Sequence, residues 1–295
     1  MALQDVLQRL AVNGPEQQAI KAGEIDAVVD YASSNVILLP LARRALREVA
    51  IRARAANQGA TNRDSIANHL LAALPRAEYR ELLAGGLEPV WLRVGEVLQE
   101  PGAPIRYVYF PVGCVISLLT RVTDHPDLGI GLVGREGMVG IPLALGVHVS
   151  SGRALVQSSG TAMRMKADAF GGAILRSMLL QQALYRYKHA LVGQIGQSVA
   201  CTHFHQVQPR LACYLLMTAD HAKSTEIRLT QDFLADMLGV HRPALNLAAG
   251  ALEKEGLIKC GRGKMTILDR KRLGAASCEC YKIIKRMYAS MYSHG

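Results

Sequence analysis

Between Thr230 and Ile258 the apolar residues recur at helical spacing in two short runs separated by a glycine. Phe233, Leu234, Met237 and Leu238 give the first run one apolar face, and Leu245, Ala248, Ala249 and Leu252 give the second its buried stripe. Thr230 stands where an N-cap hydroxyl accepts an orphan N–H of the first turn. Gly239 ends the first helix, because glycine enters the left-handed conformation without steric cost. Arg242-Pro243 opens the second, where the N–H that proline lacks has no helical partner anyway, and Gly256 closes it. Two short helices joined by a tight glycine turn predict a helix-turn-helix, whose second helix is shaped to enter a DNA major groove.

Downstream, Gly261-Arg262-Gly263 tips a hairpin that returns through Met265 to Leu268, a wing beside the two helices. Upstream, the period shortens. From Pro89 the chain runs in short strand candidates punctuated by glycine and proline: VWLRVGEVL, YVYFPVGCVISLLTRV, LGIGLVG, GMVGIPLAL, SGRALVQSSG and TAMRMKADAF. They predict a small antiparallel barrel or jelly roll over residues 63–174, entered by two short helices, NHLLAALP and AEYRELLAG. Helical period returns over 175–207. There Leu184, Lys188, Leu191, Ile195, Ser198 and Thr202 step by alternating fours and threes, with Tyr187 and Val199 beside them. That heptad-like seam predicts pairing with a second copy of the chain. Residues 1–62 read as a mostly helical segment without an assigned role: EQQAIKAGEIDAVVDY and ARRALREVAIRARAAN have helical spacing, and VILLP is a short strand candidate. The expected fold class is therefore α+β: helical N-terminal segment, antiparallel barrel, long dimerisation helix, and a winged helix-turn-helix over 208–295.

Charge sharpens the C-terminal reading. The chain carries 34 Lys and Arg against 24 Asp and Glu, a net charge of +10. Between Lys259 and Arg286 stand nine Lys or Arg, opposed only by Asp269 and Glu279. A polyanionic partner suits that surplus, and Arg262 and Lys264 at the wing tip are placed to meet phosphates. No basic leader with an apolar core opens the chain, and no uncharged apolar run reaches the roughly 18 residues of a membrane helix. A cytoplasmic protein without a membrane partner is expected. Six cysteines without framework spacing fit a reducing compartment.

Cys278-Glu279-Cys280 has no second cysteine or histidine pair nearby in sequence, so both thiols are expected to pack in a C-terminal helix with Ile283, Ile284 and Met287. No metal is assigned to them. His203-Phe204-His205 supports a rival reading, a cupin-like metal-dependent barrel enzyme with a helical accessory domain. An H-x-H pair shares one face of a strand but diverges by roughly 200° on a helix, and here the spacing is helical. No catalytic residue is named.

Barrel, long helix and winged helix-turn-helix in this order resemble the CRP/FNR family of bacterial transcription regulators. TQDFLADMLGVHRPALNLAAGALEKEGLI is similar to the family's helix-turn-helix without gaps, and REGMVGIPLAL with SGRALVQ to its phosphate-cassette region. The resemblance implies a homodimer on double-stranded DNA, an effector-sensing barrel, and RNA polymerase as a further partner. It implies DNA contacts from Thr230, Gln231, His241, Arg242, Ala244 and Asn246, with Arg262 and Lys264 on the wing. Effector candidates are Gly140, Arg153 and Ala154. Two departures matter. Gly140 is followed by Ile141 where cyclic-nucleotide binders carry a ribose-binding glutamate, so cyclic AMP is not the expected effector and no cofactor is assigned. Pro243 and Leu247 replace the family's usual glutamate and second arginine, so a different operator is expected. The iron–sulfur branch needs clustered cysteines ahead of the barrel, and the first cysteine here is Cys114.

Overall fold

The computed structural model describes residues 27–30, 35–38 and 66–292. The chain divides into two compact units, Met1–Gly59 and Ala60–Gly295. In the first, β1 (Ala27–Asp30) pairs antiparallel with β2 (Asn35–Leu38), Ala27 opposite Leu38. β2 is the strand expected in VILLP. β1 corrects the helix expected through AVVD: the β-branched pair Val28-Val29 finds a cross-strand partner there, which outweighs weak helical spacing. The helices expected on either side of this hairpin, and the proposed linker at 57–62, lie outside the described residues.

The second unit opens with α1 (His69–Ala72) and α2 (Arg76–Ala84). Asn68 caps α1 by accepting from the Leu71 N–H at 3.1 Å. Its buried amide donates to the carbonyls of Pro111 at 2.8 Å and Gly137 at 2.9 Å, which ties the cap to the strands. Seven strands follow: β3 (Glu88–Leu92), β4 (Val97–Gln99), β5 (Tyr107–Pro111), β6 (Val115–Thr120), β7 (Leu128–Val133), β8 (Arg153–Ser158) and β9 (Gly160–Lys166). They form two antiparallel sheets, ordered β3-β9-β5 and β4-β8-β6-β7. The sheets face each other across one buried cluster, with Leu92, Tyr109 and Ala162 from the first meeting Ile116, Val133 and Val156 from the second.

The expected barrel does not close. Of the two architectures read from the strand pattern, the molecule takes the open double sheet, its ladders ending at β3, β5, β4 and β7. Bulges near Val97, Val115 and Leu118 bend strands only three to seven residues long, which leaves too little ladder to close the ring. GMVGIPLAL is not a strand either. It is a 3₁₀ turn, Ile141–Leu145, held between Gly140 (φ 103°) and Gly146 (φ 72°), both left-handed.

The expected helix over 175–207 forms as one long helix, a few residues shorter at each end. α3 (Ala167–Arg176) ends at Ser177, whose hydroxyl accepts from the Leu180 N–H at 3.0 Å and so caps α4 (Met178–Phe204). Of the predicted seam, Leu184 and Leu191 face inward, whereas Lys188, Ile195 and Ser198 are half-buried and Thr202 is exposed. Leu184, Tyr187 and Leu191 are buried in the chain's own core, the Tyr187 hydroxyl donates to the Met138 carbonyl at 2.8 Å, and Gln194 donates to Leu132 at 3.2 Å. The stripe exists, but it is covered within the chain, by the double sheet and by the C-terminal helix Cys280–Tyr292. The face left in solvent carries Met178, Tyr185, Val192 and Val199, exposed and spaced by sevens.

α5 (Val207–Ala222) leads to β10 (Glu226–Ile227), α6 (Gln231–Leu238), α7 (Arg242–Lys254), the wing strands β11 (Ile258–Gly261) and β12 (Lys264–Ile267), α8 (Arg270–Ala276) and α9 (Cys280–Tyr292). The wing sheet is ordered β10-β12-β11. α9 returns along α4, where the Tyr288 hydroxyl donates to Gln194 at 2.9 Å. Among the described residues no helix is long and apolar enough to cross a membrane.

α5 is the junction between double sheet and C-terminal helices. Gln157 of β8 accepts from Ser117 (2.7 Å) and Tyr214 (2.8 Å) and donates to Thr218 (3.2 Å), all within a buried face. Beside it, Glu136 and His221 form an ion pair at 2.8 Å, both side chains nearly inaccessible.

Candidate nucleic-acid interface

The expected caps of the helix-turn-helix form as read. Thr230 Oγ1 accepts from the Phe233 N–H at 3.2 Å, and Gly239 turns the chain at φ 59° and ψ 44°. A second constraint acts on Gly239, since a β-carbon there would meet Leu128 Cδ1 at 2.8 Å. The β6–β7 hairpin thus rests directly on the turn, and Gly129 of β7 packs as closely on Met237. Arg210 of α5 completes the support by donating to the carbonyl of Leu238, an orphan acceptor at the end of α6.

α7 buries Leu245, Ala248, Ala249 and Leu252 and turns its other side outward. His241, Arg242, Asn246 and Leu247 are exposed on that side, Ala244 is half-buried, and Gly250 opens onto empty space. Arg242 pairs with Asp232 of α6 at 3.2 Å across the mouth of the turn, both groups well hydrated. Gln231 is half-buried at the start of α6, beside the exposed cap Thr230. The wing divides the two basic candidates. Arg262 is exposed at the tip and makes no ion pair among the described residues, whereas Lys264 is held by Glu226 of β10 at 3.0 Å. The hydrogen bond from Lys264, joined by Arg228, keeps the Glu226 carboxyl below its usual range. Lys264 must leave that partner to reach a phosphate.

The effector candidates are not assembled. Gly140 packs against Val108 of β5. Arg153, at the start of β8, is engaged by Asp127 at 2.7 Å and Glu100 at 3.1 Å, and Ala154 is buried between the sheets. Arg121 and then Arg153 hold the Asp127 carboxyl below its ordinary value, so the guanidinium is committed to carboxylates.

Residues 209–276 match the model of the Crp-like helix-turn-helix domain. The chain carries a Crp-like helix-turn-helix domain. No curated protein matches the sequence. Solved structures match the fold. FixK2 from Bradyrhizobium japonicum is 15% identical with a TM-score of 0.56, over 65% of this chain and 98% of its own. TTHA1359, a CRP/FNR-family transcriptional regulator from Thermus thermophilus, is 20% identical at 0.54, over 64% and 98%. The c-di-GMP-responsive global regulator CLP of Xanthomonas campestris is 14% identical at 0.53, over 66% and 100%. The Crp-like domain gives this chain a DNA-binding helix-turn-helix, and its double sheet and long helix have the fold of CRP/FNR regulators.

Around the Crp-like domain, two residue groups were missed or misjoined by sequence. Leu247 is 78% exposed in the middle of α7, an apolar tip on its outward face, and its place outside the buried stripe was the available signal. The histidines of H-x-H part company: His203 is exposed and packs edge-on against Phe204, while His205 caps α4 and turns toward Cys278 and Cys280. These thiols do lie at the start of the expected C-terminal helix, α9, but with Cys201 and His205 as neighbours.

Proposed function

We propose that the chain acts in the cytoplasm as a homodimeric, sequence-specific regulator that reads its operator with α7. The carrying observation is the outward face of α7, where Arg242, Asn246 and Leu247 stand clear of a fully buried opposite stripe. Arginine pairs with guanine O6 and N7, asparagine with adenine, and an apolar tip suits a thymine methyl. Thr230, Gln231 and His241 flank the groove on this reading, and Ala244 allows close approach. The exposed stripe Met178, Tyr185, Val192 and Val199 pairs the two copies along α4. Cyclic AMP is not the effector, because Ile141 offers no carboxylate and Arg153 is occupied. Contact with RNA polymerase would make the regulator an activator. A metal-dependent enzyme has no support, since its histidine pair diverges.

Selection of binding sites from a random DNA pool, over a salt series, tests the reading. Arg242→Ala is expected to cost about 1–3 kcal/mol per half-site and to relax one base position. Arg262→Ala should weaken all sequences alike and flatten log affinity against log salt by about one per half-site. Lys264→Ala should do so less, because its charge is shared with Glu226. An unchanged motif and affinity in Arg242→Ala would mean that α7 is not the reader.

A further inference from the structure

The end of α4 and the start of α9 meet in a compact knot of four ligand-type side chains. Cys201 and His205 are four residues apart in and just after the last turn of α4, on one face of it, and Cys278 and Cys280 arrive from the far end of the Crp-like domain. Their four ligand atoms lie within 4.8 Å of one another. Cys201 Sγ stands 3.6 Å from Cys278 Sγ, and Cys280 Sγ stands 3.4 Å from His205 Nδ1. Tetrahedral zinc, with Zn–S of about 2.3 Å and Zn–N of about 2.0–2.1 Å, requires edges of about 3.8 Å between sulfurs and about 3.6 Å from sulfur to nitrogen. Both observed edges are within a few tenths of an ångström of that figure.

The surroundings are those of a metal site rather than of packed thiols. Glu279 Oε1 lies 3.2 Å from His205 Nε2, the ring nitrogen turned away from the sulfurs. A carboxylate there fixes the tautomer and leaves Nδ1 as the ligand atom. Gln197 donates an amide N–H to Cys280 Sγ at 3.1 Å. Arg210 lines the same cavity as Cys201 and Cys280, where its positive charge would offset the single negative charge that three thiolates leave on a zinc dication. A cavity of about 70 Å³, lined by Ser198, Cys201, Thr202 and Cys280 among others, gives the ion an approach.

We propose that Cys201, His205, Cys278 and Cys280 bind one zinc ion that fastens the last turn of α4 to the first turn of α9. The ion is structural, because four protein ligands fill its tetrahedron and leave no open position. Two- or four-iron clusters distribute their cysteines over separate irons, whereas these ligand atoms close around a single point. A Cys201–Cys278 disulfide would leave the third thiol and the carboxylate-oriented imidazole without a role.

Full-length protein isolated under reductant without chelator should hold one zinc per chain by elemental analysis. Its cobalt(II) form should show the strong visible bands of a tetrahedral thiolate site. Glu279→Gln, an exposed change that keeps the fold, should weaken zinc binding about 10–100-fold. Cys280→Ser and His205→Ala should lose cobalt's tetrahedral spectrum, while Cys114→Ser and Cys260→Ser, outside the knot, should keep it. The proposal is overturned if folded wild-type chain, reduced and offered stoichiometric zinc, takes up none. Octahedral cobalt, iron with acid-labile sulfide, or a Cys201–Cys278 disulfide in protein taken directly from cells would overturn it equally. The wild-type measurements stand even if a ligand variant fails to fold.

Discussion

Lysine at Leu191 should abolish the folded chain, whereas lysine at Val192 and Val199 together should leave a folded monomer. The residues are neighbours, but α4 turns them to opposite sides. Leu191 is 6% exposed beneath the double sheet and Val192 is 58% exposed. Removing a buried leucine costs about 2–5 kcal/mol. Leaving an unpaired ammonium in its place adds several kcal/mol more, so the sum rivals a domain's whole stability of about 5–15 kcal/mol. Val192 and Val199 lose no internal contact on substitution. They would instead place like charges along the proposed two-fold seam, a stripe too narrow to tolerate them. Circular dichroism and light scattering separate the outcomes. A folded Leu191→Lys chain, or a double variant that remains dimeric, would falsify this orientation of α4.

The second large effect lies at the junction of the two halves. Glu136→Ala should cost about 3–5 kcal/mol, since it strips the partner from an imidazolium buried beside α5. Burial pushes the Glu136 carboxyl up. The charge and hydrogen bond of His221, with the Gly134 N–H, outweigh that and hold it lowered. Burial likewise pushes His221 down, but the charge of Glu136 overrides it and the imidazole is raised. The signs then fix a window. The lowered carboxyl contributes stability above its unfolded value near 4.5, lost as pH falls through the folded one. The raised imidazole contributes stability that is complete below its unfolded value near 6.5 and is lost as pH rises through the folded one. Thermal midpoints should therefore peak at mildly acidic pH and fall on the alkaline side. Glu136→Gln, which keeps the shape and removes the charge, should flatten that alkaline fall. If wild type and Glu136→Gln lose stability in parallel between about pH 6.5 and 9, the pair is not the titrating element.

What the sequence discloses depends on how local the physics is. The helix-turn-helix is written in adjacent residues: Thr230 caps, Gly239 turns, Pro243 restarts and Gly256 stops, each needing only its neighbours. The seven strands of the double sheet were legible as short β segments, yet their order was not. β3 pairs with β9 across about seventy residues, and nothing in either strand names the other. α4 shows the intermediate case. Periodicity reveals that Leu184 and Leu191 share a stripe, but a stripe against one's own sheet and a stripe against a twin have the same spacing. The metal-ligand knot fails for the same reason, because Cys201 and Cys278 are joined only once α8 and the wing have brought the chain back. Arg153 was found by pattern, and only the fold shows Asp127 already holding it.

Gln157 carries a thermodynamic consequence of its own. One carboxamide serves Ser117 on a neighbouring strand and Tyr214 and Thr218 on α5, in a largely buried face. Sliding α5 out of register would strip donors and acceptors together in surroundings that hold little solvent to replace them. Displaced positions of the helix therefore lie higher in free energy than the observed one. The junction resists sliding, so the sheets and the C-terminal helices should melt in one transition, as a single cooperative body.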